Sequence, residues 1–111
     1  MKIKEVTDER ILFDNGNTIT FDHEPDCCEY NYADFSTLTK NNVNYDYDFD
    51  EDLIFSFEDG LGFCFGSKDE YNYMHGIYIP CYSDQNGYYS TDIEILYNGK
   101  VVLQGYCDEL F

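Results

Sequence analysis

The chain has 111 residues, 43% of them hydrophobic and 19% aromatic, which suits one folding unit spanning 1–111 and is too apolar for a chain disordered throughout. Six Lys/Arg stand against twenty-three Asp/Glu, and the resulting formal charge of −17 excludes a sequence-independent grip on nucleic acid by phosphate neutralisation. No apolar run reaches the ~18 residues that cross a bilayer, and Met1-Lys2-Ile3-Lys4-Glu5 has no apolar stretch behind its basic residues, so the expectation is a soluble protein that stays in the cytoplasm of its cell.

The first elements read as a meander. Ile3, Val6, Ile11 and Phe13 precede Asp14-Asn15-Gly16-Asn17, and Thr18-Ile19-Thr20-Phe21 follows, which predicts a hairpin around a turn that tolerates positive φ. Asp22 to Asp26, with His23 and Pro25, reads as a loop. Asp26 stands three residues before Glu29 in capping-box spacing, and Cys28, Tyr32, Phe35 and Leu38 follow at steps of four, three and three. That spacing predicts a helix over 27–39. Cys27 and Cys28 would then lie in its first turn, where unpaired N–H groups and the helix dipole favour a thiolate.

From Asn41 the pattern becomes β-like. Val43, Tyr45, Tyr47 and Phe49 alternate with Asn44, Asp46, Asp48 and Asp50, so an extended chain puts aromatics on one face and carboxylates on the other; Glu51 and Asp52 lengthen the acidic edge. Leu53–Phe57 and Gly62–Phe65 flank Glu58-Asp59-Gly60-Leu61 as a second hairpin. Ile77–Tyr82 reads as a strand whose Pro80 implies an edge or a strand end, and Gln85-Asn86-Gly87 as a turn. Asp92–Tyr97 and Lys100–Tyr106 flank Asn98-Gly99, a type I′ hairpin signal. Together these predict an α+β domain: an antiparallel, curved sheet of about seven or eight strands with one helix packed on it.

Five cysteines, an odd number with two adjacent, fit a secreted disulfide framework poorly. A Cys27–Cys28 bridge would be strained, since neighbouring Cα atoms lie about 3.8 Å apart, below the roughly 4.4 Å of relaxed geometry. His23, Cys27, Cys28 and Cys81 together match the Cys₃His set of structural zinc. The competing reading makes the cysteines small core hydrophobes and His23 a loop residue, and Cys64 and Cys107 read as packing residues. His75 could substitute as a ligand.

Charge forms the second constellation. Lys40 is the only Lys or Arg between Arg10 and Lys68, a span that holds thirteen Asp/Glu, including Asp46, Asp48, Asp50, Glu51 and Asp52. Alternate carboxylates on a strand recur every ~6.7 Å, so such a strand can mimic a row of phosphates and attract a basic groove. So many like charges on one small domain oppose compaction, and this points to a cationic partner rather than to solubility alone. Tyrosines such as Tyr30, Tyr32, Tyr45, Tyr47, Tyr71, Tyr73, Tyr88 and Tyr89 add a residue type enriched in interfaces, though sheet packing also uses it. No P-loop, Rossmann or G-x-S-x-G pattern occurs, and the zinc deaminase signature fails at both of its halves. The reading is therefore non-enzymatic. A metal-dependent hydrolase with Glu29 as base is the catalytic alternative.

Phe13-Asp14-Asn15-Gly16, Asp22-His23 through Asp26-Cys27-Cys28-Glu29, Tyr32-Ala33-Asp34-Phe35, and Ile79-Pro80-Cys81-Tyr82 with Asn86-Gly87-Tyr88-Tyr89-Ser90 resemble a family of small acidic proteins of phages and mobile elements, and the type II anti-CRISPR inhibitors of Cas9 are similar in size and charge. The resemblance implies that His23, Cys27, Cys28 and Cys81 act together on zinc. It also implies that Asp46, Asp48, Asp50, Glu51 and Asp52 contact a basic surface of a Cas9 nuclease, blocking DNA loading without catalysis. A phage structural or regulatory module that binds another protein through its tyrosines is the alternative.

Overall fold

The computed structural model describes residues 1–22, 30–40, 47–67, 76–85 and 90–110. Within them, period-two burial builds strands: β1 (Ile3–Val6), β2 (Arg10–Phe13), β3 (Thr18–Asp22), β4 (Tyr30–Ala33), β5 (Leu53–Glu58), β6 (Gly62–Ser67), β7 (Ile77–Asp84), β8 (Asp92–Tyr97), β9 (Lys100–Tyr106) and β10 (Asp108–Leu110). These form two sheets of five strands. The first runs β1-β2-β3-β8-β9, and the second runs β10-β7-β6-β5 with β4 also paired to β7. All ladders are antiparallel except β10 on β7, which is parallel.

The hairpin signals are present as strand pairs. The β8–β9 turn holds Asn98 at φ 53° and Gly99 at φ 79°, the left-handed pair that matches the twist of the flanking strands. The single sheet with a packed helix is overturned: the molecule is nearly all β, in two sheets. The helix expected over 27–39 gives way to β4, which pairs with β7 from Tyr30↔Asp84 to Ala33↔Cys81, followed by the five-residue helix α1 (Ser36–Lys40). The cause is two-faced burial. Asn31 and Ala33 are buried while Tyr32 stands outside the core, an alternation that a helix-spaced reading of Cys28, Tyr32, Phe35 and Leu38 overlooks. The cap at α1 belongs to Asp34, whose Oδ1 accepts bonds from the Ser36 N–H at 3.0 Å and the Ser36 hydroxyl at 2.5 Å.

Pro80 also lies elsewhere than expected. It sits inside β7, not at an edge, where that strand changes partners: residues 77–80 pair with β6, and residues 81–84 pair with β4. Pro80 keeps its acceptor, taking a bond from the Asp34 N–H at 2.8 Å. Opposite it, Gly62 has no room for a side chain, since a Cβ there would lie 2.2 Å from the Ile79 carbonyl oxygen.

The inner faces meet in one apolar cluster. Ile11, Phe13, Ile19, Ile93 and Ile95 come from the first sheet, and Phe63, Phe65, Ile77, Ile79 and Cys81 from the second. Phe13 and Phe65 join the layers edge-to-face at 6.4 Å, and Phe55 meets Tyr97 at 5.6 Å. Phe35, just before α1, and Leu38 within it are buried in the same cluster, with Phe35 against Phe21 at 6.0 Å.

Candidate acidic interaction surface

The acidic stretch singled out in the sequence is exposed, but by a different construction from the one expected. Residues 47–52 join no ladder. Their alternation survives because the aromatics anchor the chain: Phe49 is buried, stacking edge-to-face on Phe13 at 5.8 Å and tilted on Phe65 at 5.7 Å, and Tyr47 packs on Phe49 at 4.7 Å. Asp48, Asp50, Glu51 and Asp52 are exposed; Asp46 lies outside the described residues.

Hydrogen bonds hold this backbone along its length. The Phe49 N–H donates to the Met1 carbonyl at 2.6 Å, the Asp50 N–H to Ser67 Oγ at 3.1 Å, and the Tyr97 hydroxyl to the Glu51 carbonyl at 2.8 Å. The Met1 amine donates to Asp48 Oδ1 at 2.7 Å, and that hydrogen bond together with the amine's charge lowers the Asp48 pKa. Asn15 Nδ2 reaches Glu51 Oε1 at 3.3 Å. Burial pushes the Tyr97 hydroxyl up, against its bond from Asn17, with the Glu51 and Asp52 charges adding to the rise.

A second acidic region is built by the β8–β9 hairpin and the β5–β6 turn. Asp92 and Glu94 alternate with buried Ile93 and Ile95, so both carboxylates face outward. Register places Tyr106 opposite Asp92, Gln104 opposite Glu94, and Asp22 of β3 on the other flank of Glu94. The turn closes over this end: the Tyr106 N–H donates to Asp59 Oδ1 at 3.1 Å, and the Gly60 N–H to the Tyr106 carbonyl at 2.9 Å. The resulting groove, about 490 Å³, is lined by Asp59, Asp92, Glu94, Gln104, Gly105 and Tyr106 together with Ile93. Gln104 Nε2 donates to Glu94 Oε2 at 3.0 Å. Gly105 makes the closure possible, because a Cβ there would lie 2.2 Å from the Phe57 ring.

Of the groove residues only Asp59 belongs to the acidic span between Arg10 and Lys68. The alternation of Asp92 and Glu94 with isoleucines was a usable signal; the approach of the β5–β6 turn was not encoded locally. Three of the six Lys/Arg, Lys2, Lys4 and Arg10, fall in the first ten residues. Arg10 pairs with Glu5 at 4.0 Å, away from the groove residues.

Of the proposed metal ligands, His23, Cys27 and Cys28 lie outside the described residues, as does His75. Cys81 is fully buried on the inner face of β7, with its thiol donating to the Ile79 carbonyl at 4.0 Å. Among the described residues no group of three His, Cys, Asp or Glu is arranged to hold a metal ion. Cys64 is half-buried on β6, and burial together with the Glu58 charge pushes its thiol pKa up. The second sheet turns a tyrosine-rich face outward: Tyr30 stacks on Tyr32 at 4.9 Å, Tyr32 meets Tyr82 at 5.9 Å, and Tyr78 is exposed nearby on β7.

Comparison with protein-family models, with curated proteins and with solved structures returned no match. Among the described residues no helix is long and apolar enough to cross a membrane.

Proposed function

We propose that this chain is a non-catalytic inhibitor that docks its carboxylates on a cationic groove of a nucleic-acid-handling protein and so competes with the nucleic acid. The observation that carries this reading is the segment Asp48-Phe49-Asp50-Glu51-Asp52: four exposed carboxylates on a backbone fixed by a buried phenylalanine and by hydrogen bonds to Met1, Ser67 and Tyr97. Charges held in place lose less conformational freedom on binding than charges on a free loop, and they steer a cationic partner from a distance. The resemblance to anti-CRISPR proteins makes a Cas9 nuclease with its guide RNA the first partner to test. Its positively charged heteroduplex channel supplies the complementary surface.

The test is capture from a host lysate and, in parallel, by a purified Cas9–guide complex, each at low and at high ionic strength. Recovery at low salt that is lost at high salt, and is weakened in a D48N/D50N/E51Q/D52N variant, is the expected result. Equal recovery by the variant at every salt concentration rejects the electrostatic reading.

One observation favours a second reading. Tyr30 stacked on Tyr32, with Tyr82 tilted against Tyr32, forms an aromatic strip on the outer face of the second sheet suited to a partner that binds by burial of rings. Binding that is insensitive to salt and is lost in Tyr30→Ala assigns the function to that face.

A further inference from the structure

Cys81 and Cys107 are far apart in the chain, and the topology brings them side by side. β9 ends at Tyr106 in the first sheet and β10 begins at Asp108 in the second, so Cys107 alone forms the corner where the chain passes between sheets. β10 runs parallel to β7 with Asp108 opposite Tyr82, and one step back along both strands sets Cys107 opposite Cys81. Neighbouring strands lie about 4.8 Å apart, inside the Cα separation of roughly 4.4–6.8 Å that an unstrained disulfide spans. Both side chains are buried, at 0% and 3% exposure.

We propose that Cys81 and Cys107 form a reversible redox site, a buried cross-strand dithiol that a low-molecular-weight disulfide converts into an intramolecular disulfide joining the two sheets. The site reaches beyond the electrostatic reading and stands without it. It also lies directly under the carboxylate groove. Tyr106 precedes Cys107, and the Cys81 N–H donates at 3.0 Å to the carbonyl of Leu61, the second residue after Asp59. Oxidation therefore ties the end of β9 to β7, the strand whose Cys81 N–H holds Leu61 of the β5–β6 turn.

The chemistry is thiol–disulfide exchange. The Cys107 thiolate attacks one sulfur of the small disulfide; the oxidant's S–S bond breaks, a mixed disulfide forms and a first small thiolate leaves. The Cys81 thiolate then attacks Cys107 Sγ, the mixed disulfide breaks and a second small thiolate leaves. The two cysteine protons end on the two leaving thiolates, and the two electrons lost by the protein sulfurs reduce the oxidant. Burial protects the pair in the closed fold. Reaction requires opening of β10, three residues long and paired with β7, which uncovers Cys107.

The experiment uses the wild-type chain, oxidised glutathione as the probe, alkylation of remaining thiols and tryptic mapping. Cleavage after Arg10, Lys40, Lys68 and Lys100 places Cys81 in 69–100, Cys107 in 101–111, Cys64 in 41–68 and the pair Cys27/Cys28 in 11–40. The expected product joins 69–100 to 101–111, reverts with dithiothreitol, and raises the melting temperature by roughly 10 °C. Cys107→Ser removes both the joined peptide and the oxidised gain. Alkylation of both Cys81 and Cys107 while Cys64 becomes glutathionylated overturns the proposal. So does a different joined pair, or a joined product that melts below the reduced chain. Should Cys107→Ser fail to fold, the wild-type map decides on its own.

Discussion

The two acidic regions of this molecule expose their carboxylates by opposite means. In 47–52 the chain is outside any ladder, and the charges face water because Phe49 and Tyr47 turn inward. In the groove the backbone is a regular hairpin, and the pleat alone alternates Asp92 and Glu94 with the buried isoleucines. The six residues of β5 separate the two regions, about 20 Å at a strand's rise of ~3.3 Å per residue. The difference teaches that charge display and fold stability are coupled through one aromatic side chain in the first region and through ladder geometry in the second.

The largest expected effect breaks the first region alone. Phe49→Ala removes a fully enclosed ring in contact with Phe13, Phe65 and Tyr47, and should cost about 3–5 kcal/mol in urea unfolding. Amide exchange should rise at Asp50, whose N–H bonds Ser67, while the Tyr106 and Gly60 amides of the groove keep their protection relative to global unfolding. Equal loss of relative protection in both regions refutes their independence.

Gly105→Ala is the counterpart for the groove. The added methyl meets the Phe57 ring close to its point of attachment, so the ring and the β5–β6 turn must shift, at about 1–3 kcal/mol by the same urea measurement. An unchanged unfolding midpoint would show that the turn is not clamped on β9.

Neutralisation compares the regions as binding surfaces. D48N/D50N/E51Q/D52N should slow association with a cationic partner by about tenfold at low salt, an effect that fades as salt rises. The groove set D59N/D92N/E94Q, measured in the same stopped-flow experiment, ranks the two surfaces. On stability the groove has the opposite sign. Asp22 and Glu94 are directly opposite across β3 and β8, so Glu94→Gln should stabilise by about 0.2–1 kcal/mol while keeping an acceptor for Gln104.

The smallest effect concerns pH. The folded-state pKa of Asp48 is lowered by the Met1 amine, so its contribution to stability is present above the unfolded aspartate pKa and is lost as pH falls through the lowered folded value. Asp48→Asn should flatten that acid limb in a series of melts, lowering the melts slightly near neutrality and leaving those below the lowered folded pKa unchanged. A limb of the same steepness in the variant places the acid sensitivity on other carboxylates.

By itself the amino-acid sequence determined what nearest neighbours can settle: the turns at Asp14–Asn17, Glu58–Leu61 and Asn98–Gly99, the strands beside them, and the exposed acids of 48–52 next to an inward Phe49. Turn chemistry and the two-residue pleat act over a few residues, so these features are readable without partners. Tertiary structure alone decided the rest. Tyr30–Ala33 became a strand because β7 offered a ladder and buried Asn31, whose amide bonds the Ser90 and Asp92 carbonyls at 3.0 and 2.9 Å. Pro80 could enter an interior strand because β7 exchanges partners at that residue, and Cys81 met Cys107 because a one-residue corner returns the chain beside β7. Each of these depends on contacts between segments distant in the chain, whose pairing is selected by the shared core and not by local preference.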